Sequence, residues 1–453
     1  MSSTSTMISA RAAEIAGAQN VVVDPTALDA YAINGKVPSV AIRAESTEQI
    51  AEIVKFAVAE KLAIVACGAL TKIDMGAAPR QYDLALDLTR LDRVVAFDPG
   101  DMTLSVEPGI PLRRIESALA EHGQFLPLVV PFMDRATAGG TIASGVDSPL
   151  RQFYGTARDY VLGIEFVAGD GALAKSGGRV VKNVSGYDLH KLMIGALGTL
   201  GVMTRINFRT FPLPAATRTI VATFDSAARA VEVRHAIAGS ALRPLVLEIV
   251  SPRASELLSG SSARANRGWS VIASFAGTAK ALERSARELR QMAEQNGAAG
   301  FAALDDERQL GVSGGTSQFV PVALASSPGG TIFKLSVLPT NMSAILDAAA
   351  KAGDAAEVPW AAVARGVGVI YFALLPGERS EGALARVSRA SDEILGRCAA
   401  LDGNATIPWC PAEWKSALPI WGPERGDLGP MRALKKVFDP HGVFAPGRFM
   451  GGI

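Results

Sequence analysis

Residues 177–214 read GGRVVKNVSGYDLHKLMIGALGTLGVMTRINFRTFPLP, and glycines recur along this stretch beside apolar segments. The turn Ser185-Gly186 leads into an Asp-led helix start at Asp188, and the residues after Gly201 predict a strand. Glycine leaves backbone that another group can approach closely. The stretch is therefore either a series of tight turns or a cradle that holds an extended ligand by main-chain N–H groups, and spacing alone leaves both interpretations open.

A second loop of this kind follows residues 62–66, which predict a buried strand. The strand runs into CGALTK at residues 67–72, and Gly76 closes the loop. Free N–H groups, a hydroxyl donor and one cation after a strand suit a pyrophosphate dianion. An ordinary tight turn with a surface lysine is the alternative interpretation of the same residues.

Small residues and hydroxyls dominate PFMDRATAGGTIASG at residues 131–145, which again favours backbone lying against an extended ligand. Farther along, GDGALA at residues 169–174 formally fits a dinucleotide-binding fingerprint, but the next segment is extended rather than helical. We therefore predict a hairpin turn at Asp170-Gly171 and reject a Rossmann fold. Residues 82–89 and 94–106 alternate apolar and polar side chains around the turn Asp98-Pro99-Gly100 and predict a meander of strands.

Beyond residue 214 the pattern changes to alternating helices and strands. Strand–helix–strand units repeated about twice predict an open-faced α+β cap, a ferredoxin-like duplication. The predicted helices are 226–238, 279–295, 342–352 and 381–397, and the predicted strands are 244–250, 269–275, 331–338 and 367–375.

Composition excludes several classes of protein. The chain has 453 residues with 45 Lys+Arg against 44 Asp+Glu and no basic run, which argues against a nucleic-acid partner. Its long charge-free stretch, residues 309–333, is broken by Gly, Ser and Pro and does not predict a membrane span. Three widely spaced cysteines and four histidines without a close acid cluster predict no metal site and no iron–sulfur cluster on this chain alone. The Ser/Thr-rich N-terminus lacks a signal-peptide core; we interpret it as a frayed tail, with a transit peptide as the alternative.

Three motifs carry a resemblance to a known family: GRVVKNVSGYDLHKLMIGALGTLG at residues 178–201, RDYVLG at 158–163 and DPHGVFAPGR at 439–448. They are similar to the vanillyl-alcohol oxidase / p-cresol methylhydroxylase (PCMH-type) flavoproteins, and within these to the FAD-binding subunits of glycolate oxidase. The resemblance implies an α+β fold: a PCMH-type FAD-binding domain of two α+β subdomains, with an α+β ferredoxin-like cap. It implies an N-terminal extension at 1–36, the FAD-binding domain at 37–214, the cap at 215–413 and a C-terminal return at 414–453.

FAD is the cofactor that this resemblance implies. No histidine lies between Lys61 and Arg80, where some relatives form a histidyl–flavin bond, so we expect non-covalent binding. The implied cofactor-binding residues are Gly68, Ala69, Leu70, Thr71, Lys72, Pro131, Thr137, Gly139, Gly140, Thr141, Ser144, Gly145, Gly155, Asp188, Gly201, Val202 and Arg448.

The chain departs from the family pattern at several positions. Leu70 and Ala445 replace the usual Gly or Asn and the usual Asn, and a leucine resists positive φ. The His-x-Gly-x-Gly-x-x-His segment of the cap is replaced by ARGVGVIY at residues 364–371, which keeps the glycines and lacks both histidines. Arg365 is a weak candidate for a substrate carboxylate, and no base stands beside it. His441 is interpreted first as a turn residue.

The resemblance implies the FAD-binding subunit of a multi-subunit 2-hydroxy-acid dehydrogenase that acts on glycolate or D-lactate. Its implied partners are a second flavoprotein subunit, which carries the missing histidines, and an iron–sulfur subunit that takes the electrons. It also implies a cytoplasmic location, with peripheral attachment to the inner face of the membrane through the complex. Two alternatives stay open: a free-standing FAD-dependent alcohol dehydrogenase, and an assembly subunit that keeps the fold without catalysis.

Overall fold

The computed structural model describes residues 3–180, 186–259, 268–306, 315–424 and 426–453. Its amino-terminal half contains the helices α1 Ser3–Ala16, α2 Pro25–Leu28, α3 Thr47–Glu60, α4 Leu112–Ala120, α5 Ala138–Ser144, α6 Arg151–Tyr154, α7 Ala157–Tyr160 and α8 His190–Met193. Its strands there are β1 Val21–Val22, β2 Val40–Arg43, β3 Ile64–Cys67, β4 Leu84–Asp87, β5 Val94–Asp98, β6 Thr103–Val106, β7 Gln124–Phe125, β8 Val161–Val167, β9 Leu173–Gly177, β10 Val202–Arg209 and β11 Phe211–Pro212.

The first subdomain is a four-stranded sheet in the order β1-β2-β4-β3. Strand β4 lies between β2 and β3 and is parallel to both. The sequence-based meander was therefore wrong for this strand, whereas β5 and β6, from the second part of the predicted meander, do form an antiparallel hairpin. Every residue of β4 is buried, as expected for a central parallel strand covered on both faces, and alternation alone does not reveal such a position.

The N-terminal helix α1 also departs from expectation. Ile8, Ala12 and Ala16 are buried in the core of the first subdomain, and α1 packs against β2 and α3. The frayed-tail interpretation was wrong because these apolar residues recur at i, i+4 and i+8 and form one face of a helix within a Ser/Thr-rich segment.

The second subdomain is a five-stranded antiparallel sheet in the order β5-β6-β10-β8-β9. Its β8–β9 hairpin confirms the turn predicted at Asp170-Gly171: Gly171 has φ +82°, and the Asp170 carboxylate accepts the N–H of Ala172 at 2.9 Å. Strand β10, the end of the stretch quoted first, pairs with both β6 and β8.

The start of that stretch differs in detail. Helix α8 begins at His190 rather than at the predicted Asp188, which instead pairs with Lys191 at 2.7 Å. The first residue of the predicted Ser185-Gly186 turn lies outside the described residues.

The carboxyl-terminal half forms a cap built on one eight-stranded sheet in the order β15-β12-β14-β13-β17-β18-β16-β19. Each set of four strands follows a βαββαβ path, with one extra helix between the second and third strands of the first set, and the two sets join where β13 pairs with β17. This arrangement matches the predicted ferredoxin-like duplication. The elements are β12 Thr217–Phe224, α9 Ala227–Ala238, β13 Val246–Val250, α10 Pro252–Ser259, β14 Trp269–Ala276, α11 Ala279–Gln295, β15 Gly300–Asp306, α12 Phe319–Ser326, β16 Thr331–Ser336, α13 Met342–Ala355, β17 Trp360–Arg365, β18 Val369–Leu374, α14 Glu381–Ala400, β19 Asn404–Trp409 and α15 Leu428–Phe438.

The chain returns from the cap to the first subdomain after α15. Phe444 forms a parallel bridge with Ile64, and the N–H of Ala445 donates to the Ile64 carbonyl at 2.8 Å. Asp439 helps to fix this return, since it accepts from Lys435 at 2.6 Å and from the N–H of Val443 at 3.0 Å. The domain limits given above stay predictions, and the pairing of β1 with β2 ties the N-terminal extension to the first sheet.

Candidate functional site

A narrow cleft separates the two subdomains of the FAD-binding domain. The loop after β3, the start of α5, the segment before β10 and one side chain from the C-terminal return line it. Most of the predicted cofactor-binding residues lie here, namely Gly68, Ala69, Leu70, Thr71, Lys72, Thr137, Gly139, Gly140, Ser144, Gly201, Val202 and Arg448.

The loop after β3 has the chemistry of an anion site. Within the described part of the chain, the backbone N–H groups of residues 68–72 have no hydrogen-bond acceptor. Lys72 is 8% exposed, and among the described residues its Nζ donates only to the Thr71 hydroxyl, at 3.1 Å. Burial lowers the pKa of Lys72 to about 8. A row of unpaired amides beside a buried, unneutralised cation fits a pyrophosphate group.

Helix α5 presents its first turn to the same cleft. Thr137 caps the helix and accepts the N–H of Gly140 at 3.4 Å. A Cβ on Gly140 would meet only the Thr137 hydroxyl, whereas a Cβ on Gly139 would collide with Pro108 at 2.6 Å. The absence of a side chain at Gly140 therefore leaves space in the cleft, and its absence at Gly139 lets α5 pack against Pro108. The buried Thr141 hydroxyl has no partner among the described residues, so it is an orphaned group next to the cleft.

The two departures from the family motif adopt the backbone conformation that glycine or asparagine would favour. Leu70 has φ +60° and Ala445 has φ +43°, both in the left-handed region. Leu70 packs against the small core that contains Cys67 and Ala445. The loop therefore keeps a left-handed residue although leucine disfavours it, and surrounding contacts must hold it there.

The remaining predicted cofactor residues lie elsewhere, and their roles stay predictions. Gly145 lines the larger cavity described next, and Asp188 is exposed and paired with Lys191. At Gly155 a side chain would collide with Asp159, so this glycine serves a capped turn. Pro131 and Thr141 are both buried, and neither lines the cleft.

A cavity of about 630 Å³ lies between the FAD-binding domain and the cap sheet. One end is apolar and contains Trp421 and Phe449, whose rings are 4.9 Å apart. The other end is charged and contains Asp147, Arg151 and Lys334. A concave space with an apolar wall and a few converging charges is typical of a small-molecule site.

Asp147 is the acid of the charged end. Its carboxylate accepts from the Tyr371 hydroxyl at 2.7 Å and from Arg151 Nη1 at 2.6 Å. Burial alone would raise the pKa of Asp147, but attraction to Lys334, Arg365 and Arg151 holds it below its usual value. Asp147 is therefore ionised and a weak base.

Lys334 is a second cation at the charged end, and unlike Arg151 it is not within ion-pair distance of Asp147. It forms no hydrogen bond or ion pair in the part of the chain that the structure describes, and β16 directs it into the cavity. Sequence reasoning missed Lys334, Asp147 and Arg151. The signal for Lys334 was available, because it is the one charged residue in the apolar strand TIFKLS.

Arg365, the sequence-based candidate for a substrate carboxylate, does not line the cavity. It is 3% exposed and forms an ion pair with fully buried Glu248 across the β13–β17 junction. Burial lowers the pKa of Arg365, although attraction to Asp147 opposes the shift. The carboxylate-binding role stays a prediction, and the pairing with Glu248 counts against it.

Histidines and potential metal ligands are further candidates for a functional site. His190 is buried, with its Nδ1 3.2 Å from the Ser176 hydroxyl, which agrees with a packing role. Among the described residues no group of three His, Cys, Asp or Glu side chains is arranged to hold a metal ion. Within the same residues, no helix has the length and apolar character that crossing a membrane requires.

Comparison with known proteins agrees with this geometry. A family described as "FAD binding domain" matches residues 38–177, and "FAD linked oxidases, C-terminal domain" matches 213–406 and 422–449. The chain belongs to the FAD-linked oxidases. It is accordingly an FAD-dependent oxidoreductase, and FAD is the cofactor for which the unpaired amides and Lys72 form a fitting site.

Named relatives extend over different shares of the chain. The glycolate oxidase subunit GlcD of Bacillus subtilis (strain 168) is 25% identical over 421 residues, which are 91% of this chain and 89% of that protein. The glycolate oxidase subunit GlcE of Escherichia coli (strain K12) is 37% identical over 171 residues, 38% of this chain and 48% of that protein. A solved structure of p-cresol methylhydroxylase with substrate bound has a TM-score of 0.80 at 16% identity, covering 99% of this chain and 97% of that one, which establishes the shared fold.

Proposed function

We propose that the chain is the FAD-binding subunit of a multi-subunit 2-hydroxy-acid dehydrogenase acting on glycolate, and that it passes electrons toward an iron–sulfur partner subunit. The observation that carries the proposal is the combination of two sites. A complete anion cradle for the cofactor stands beside a cationic cavity whose described lining contains no histidine and whose acid, Asp147, is a weak base. Similarity to two glycolate oxidase subunits supports the substrate class.

The cofactor would be held without a covalent bond. The cleft contains one nucleophilic thiol, Cys67, among the residues described. Burial raises the pKa of Cys67 well above its ordinary value, and its Sγ donates to the Leu86 carbonyl at 3.5 Å. A protonated, inward-facing thiol is a poor nucleophile. FAD supplies hydride acceptance when bound, and the residues of this chain bind and orient it.

The carboxylate of a 2-hydroxy acid would lie at the charged end of the cavity. Lys334 offers an unpaired ammonium there, and Arg151 is held in place by Asp147 at 2.6 Å. Removal of the hydroxyl proton requires a better base than Asp147, which already accepts two hydrogen bonds. We therefore assign that step to a second flavoprotein subunit. The complex would be cytoplasmic and would reach the inner face of the membrane only peripherally.

The cavity itself favours a second candidate, a free-standing FAD-dependent dehydrogenase of 2-hydroxy acids or alcohols. In that case Asp147, which accepts a 2.7 Å hydrogen bond from the Tyr371 hydroxyl, would have to take the proton despite its lowered pKa. The third possibility, an assembly subunit without catalysis, does not account for the unpaired amides of residues 68–72.

The test is the visible spectrum of the purified chain before and after anaerobic addition of glycolate or D-lactate. We expect a flavin spectrum that the substrate alone does not bleach and that bleaches when the partner subunits are added. Bleaching of the lone chain would establish the free-standing dehydrogenase. Absence of flavin after reconstitution with FAD would favour the assembly subunit.

A further inference from the structure

Two buried cations, Lys415 and Arg448, donate hydrogen bonds to the loop that lines the cofactor cleft. Lys415 Nζ donates to the carbonyl oxygens of Asp74 and Gly76, the latter at 2.7 Å. Arg448 Nη2 donates to the carbonyl oxygens of Ile73 and Met75, the latter at 2.7 Å. All carbonyls from residue 73 to residue 76 are therefore directed at positive charge.

Neither cation has a carboxylate within ion-pair distance in the described chain, although both are buried, Lys415 to 7% and Arg448 to 2% exposure. An ammonium out of water is unfavourable unless polar groups surround it. For Lys415 the loop carbonyls are those groups, so its buried position and the loop conformation depend on each other. Burial lowers the pKa of Lys415 to about 8, and attraction to Cys410 and Asp74 opposes this shift.

The restraint explains how the cradle keeps an unfavourable backbone. Leu70 has φ +60°, a conformation that leucine adopts only where its surroundings enforce it. The hydrogen bonds from Lys415 and Arg448 begin three residues later in the same loop. The carbonyls of residues 73–76 thus accept from these cations, whereas the N–H groups of residues 68–72 have no acceptor among the described residues and remain available to a ligand.

Lys415 comes from a different part of the chain than the motifs that bind FAD. Its neighbour Trp414 is 3% exposed and belongs to the hydrophobic core of the cap. The ammonium of Lys415 nevertheless contacts a loop of the FAD-binding domain. Lys415 therefore links the position of the cap to the conformation of the cofactor-binding loop.

We propose that Lys415 is a positioning residue that couples docking of the cap to cofactor binding by holding residues 73–76. This inference rests on the proposed FAD site and adds a residue outside every motif that carries it. Loss of Lys415 releases the loop, and loss of the cofactor loosens the segment around Lys415 because the two share the same contacts.

The experiment titrates the full chain with FAD and follows quenching of flavin fluorescence. Lys415→Met removes the donors and keeps the length of the side chain, and we expect it to raise the Kd for FAD by about 10-fold or more. Lys415→Arg, which restores charge and donors, should return the Kd to within roughly 3-fold of the original. The exposed Lys351, paired with Asp347 at 2.7 Å on the cap surface, provides Lys351→Met as the matched control without effect.

Hydrogen exchange of the unaltered chain gives a readout that does not depend on a variant folding. We expect FAD to increase protection both at residues 68–77 and at residues 408–418. Protection of the loop alone, or an unchanged Kd in Lys415→Met, overturns the coupling. If the unaltered chain binds no FAD, the proposed function fails. If the unaltered chain and Lys415→Met bind FAD equally well, the proposed function stands and only the role of Lys415 fails.

Discussion

Replacing Lys72 by methionine should stabilise the cofactor-free protein and weaken its binding of FAD. In the cofactor-free chain the Lys72 ammonium is 8% exposed, and among the described residues it donates to the Thr71 hydroxyl and has no carboxylate partner. A fall of its pKa from the ordinary 10.5 to about 8 corresponds to about 3 kcal/mol of unfavourable free energy for the charged form. Methionine removes that cost and retains most of the packing.

We therefore expect Lys72→Met to raise the free energy of unfolding of the FAD-free chain at pH 7 by up to about 3 kcal/mol. The same change should raise the Kd for FAD by about 10- to 100-fold, because a charge-assisted contact to the pyrophosphate is lost. The pH dependence has a matching sign. Folding disfavours the protonated form, so the stability of the FAD-free chain should rise as pH increases from about 8 toward 10.5, while affinity for FAD falls.

Urea unfolding of FAD-free protein and fluorescence titration with FAD measure the two effects. Lys175→Met, on an exposed position of β9, is the control and should change neither quantity. Lys415 also has a pKa of about 8, so the variant should reduce the pH dependence rather than remove it. A variant that is less stable without FAD and binds FAD normally would refute the placement of Lys72 in the anion site.

Three further predictions concern the two sites. Gly140→Trp should abolish retention of FAD through gel filtration, because Gly140 leaves the cleft open; unchanged flavin content would contradict this role. Lys334→Gln should weaken binding of glycolate to the FAD-loaded chain by roughly 10-fold, measured as the perturbation of the flavin spectrum, and an unaltered titration would exclude Lys334 from the anion site. Arg365→Met should lower the free energy of unfolding by about 3–5 kcal/mol, because it leaves Glu248 buried and unpaired, and should not change glycolate binding in the folded protein. Adding Glu248→Gln should recover part of the lost stability, and a selective loss of glycolate binding would restore Arg365 as a ligand.

Local patterns in the sequence predicted much of this fold. The hairpin at Asp170-Gly171 follows from turn chemistry, and the helix Ala279–Gln295 has the predicted bounds. The cap strands and helices alternate strongly enough to reveal a duplicated unit. Each of these features depends mainly on residues close together in the sequence.

Features that depend on distant neighbours were not predicted. Strand β4 has the alternation of a meander, and its parallel position follows only from its contacts with β2 and β3. Arg365 was interpreted as free for a ligand because Glu248, its partner, lies on another strand. No local pattern reports such a pairing.

The two sites illustrate the same distinction. The loop at residues 67–72 was singled out because its chemistry lies in one contiguous segment, and it does line the cleft, while its role in binding FAD stays a prediction. The cavity was missed because Asp147, Arg151 and Lys334 come from segments that only the tertiary fold brings together. Motif resemblance identifies residues that act within one segment, and a composite site requires the structure.

The junction of β13 and β17 also determines how the cap can move. Bending the eight-stranded sheet there would break the hydrogen bonds between these strands and separate Glu248 from Arg365 in a medium that poorly solvates either charge. We therefore expect the two repeated halves of the cap to move together as one rigid sheet. Any further widening of the cavity should then occur by tilting of the whole cap sheet on the FAD-binding domain, with the segment around Lys415 as one of its attachment points.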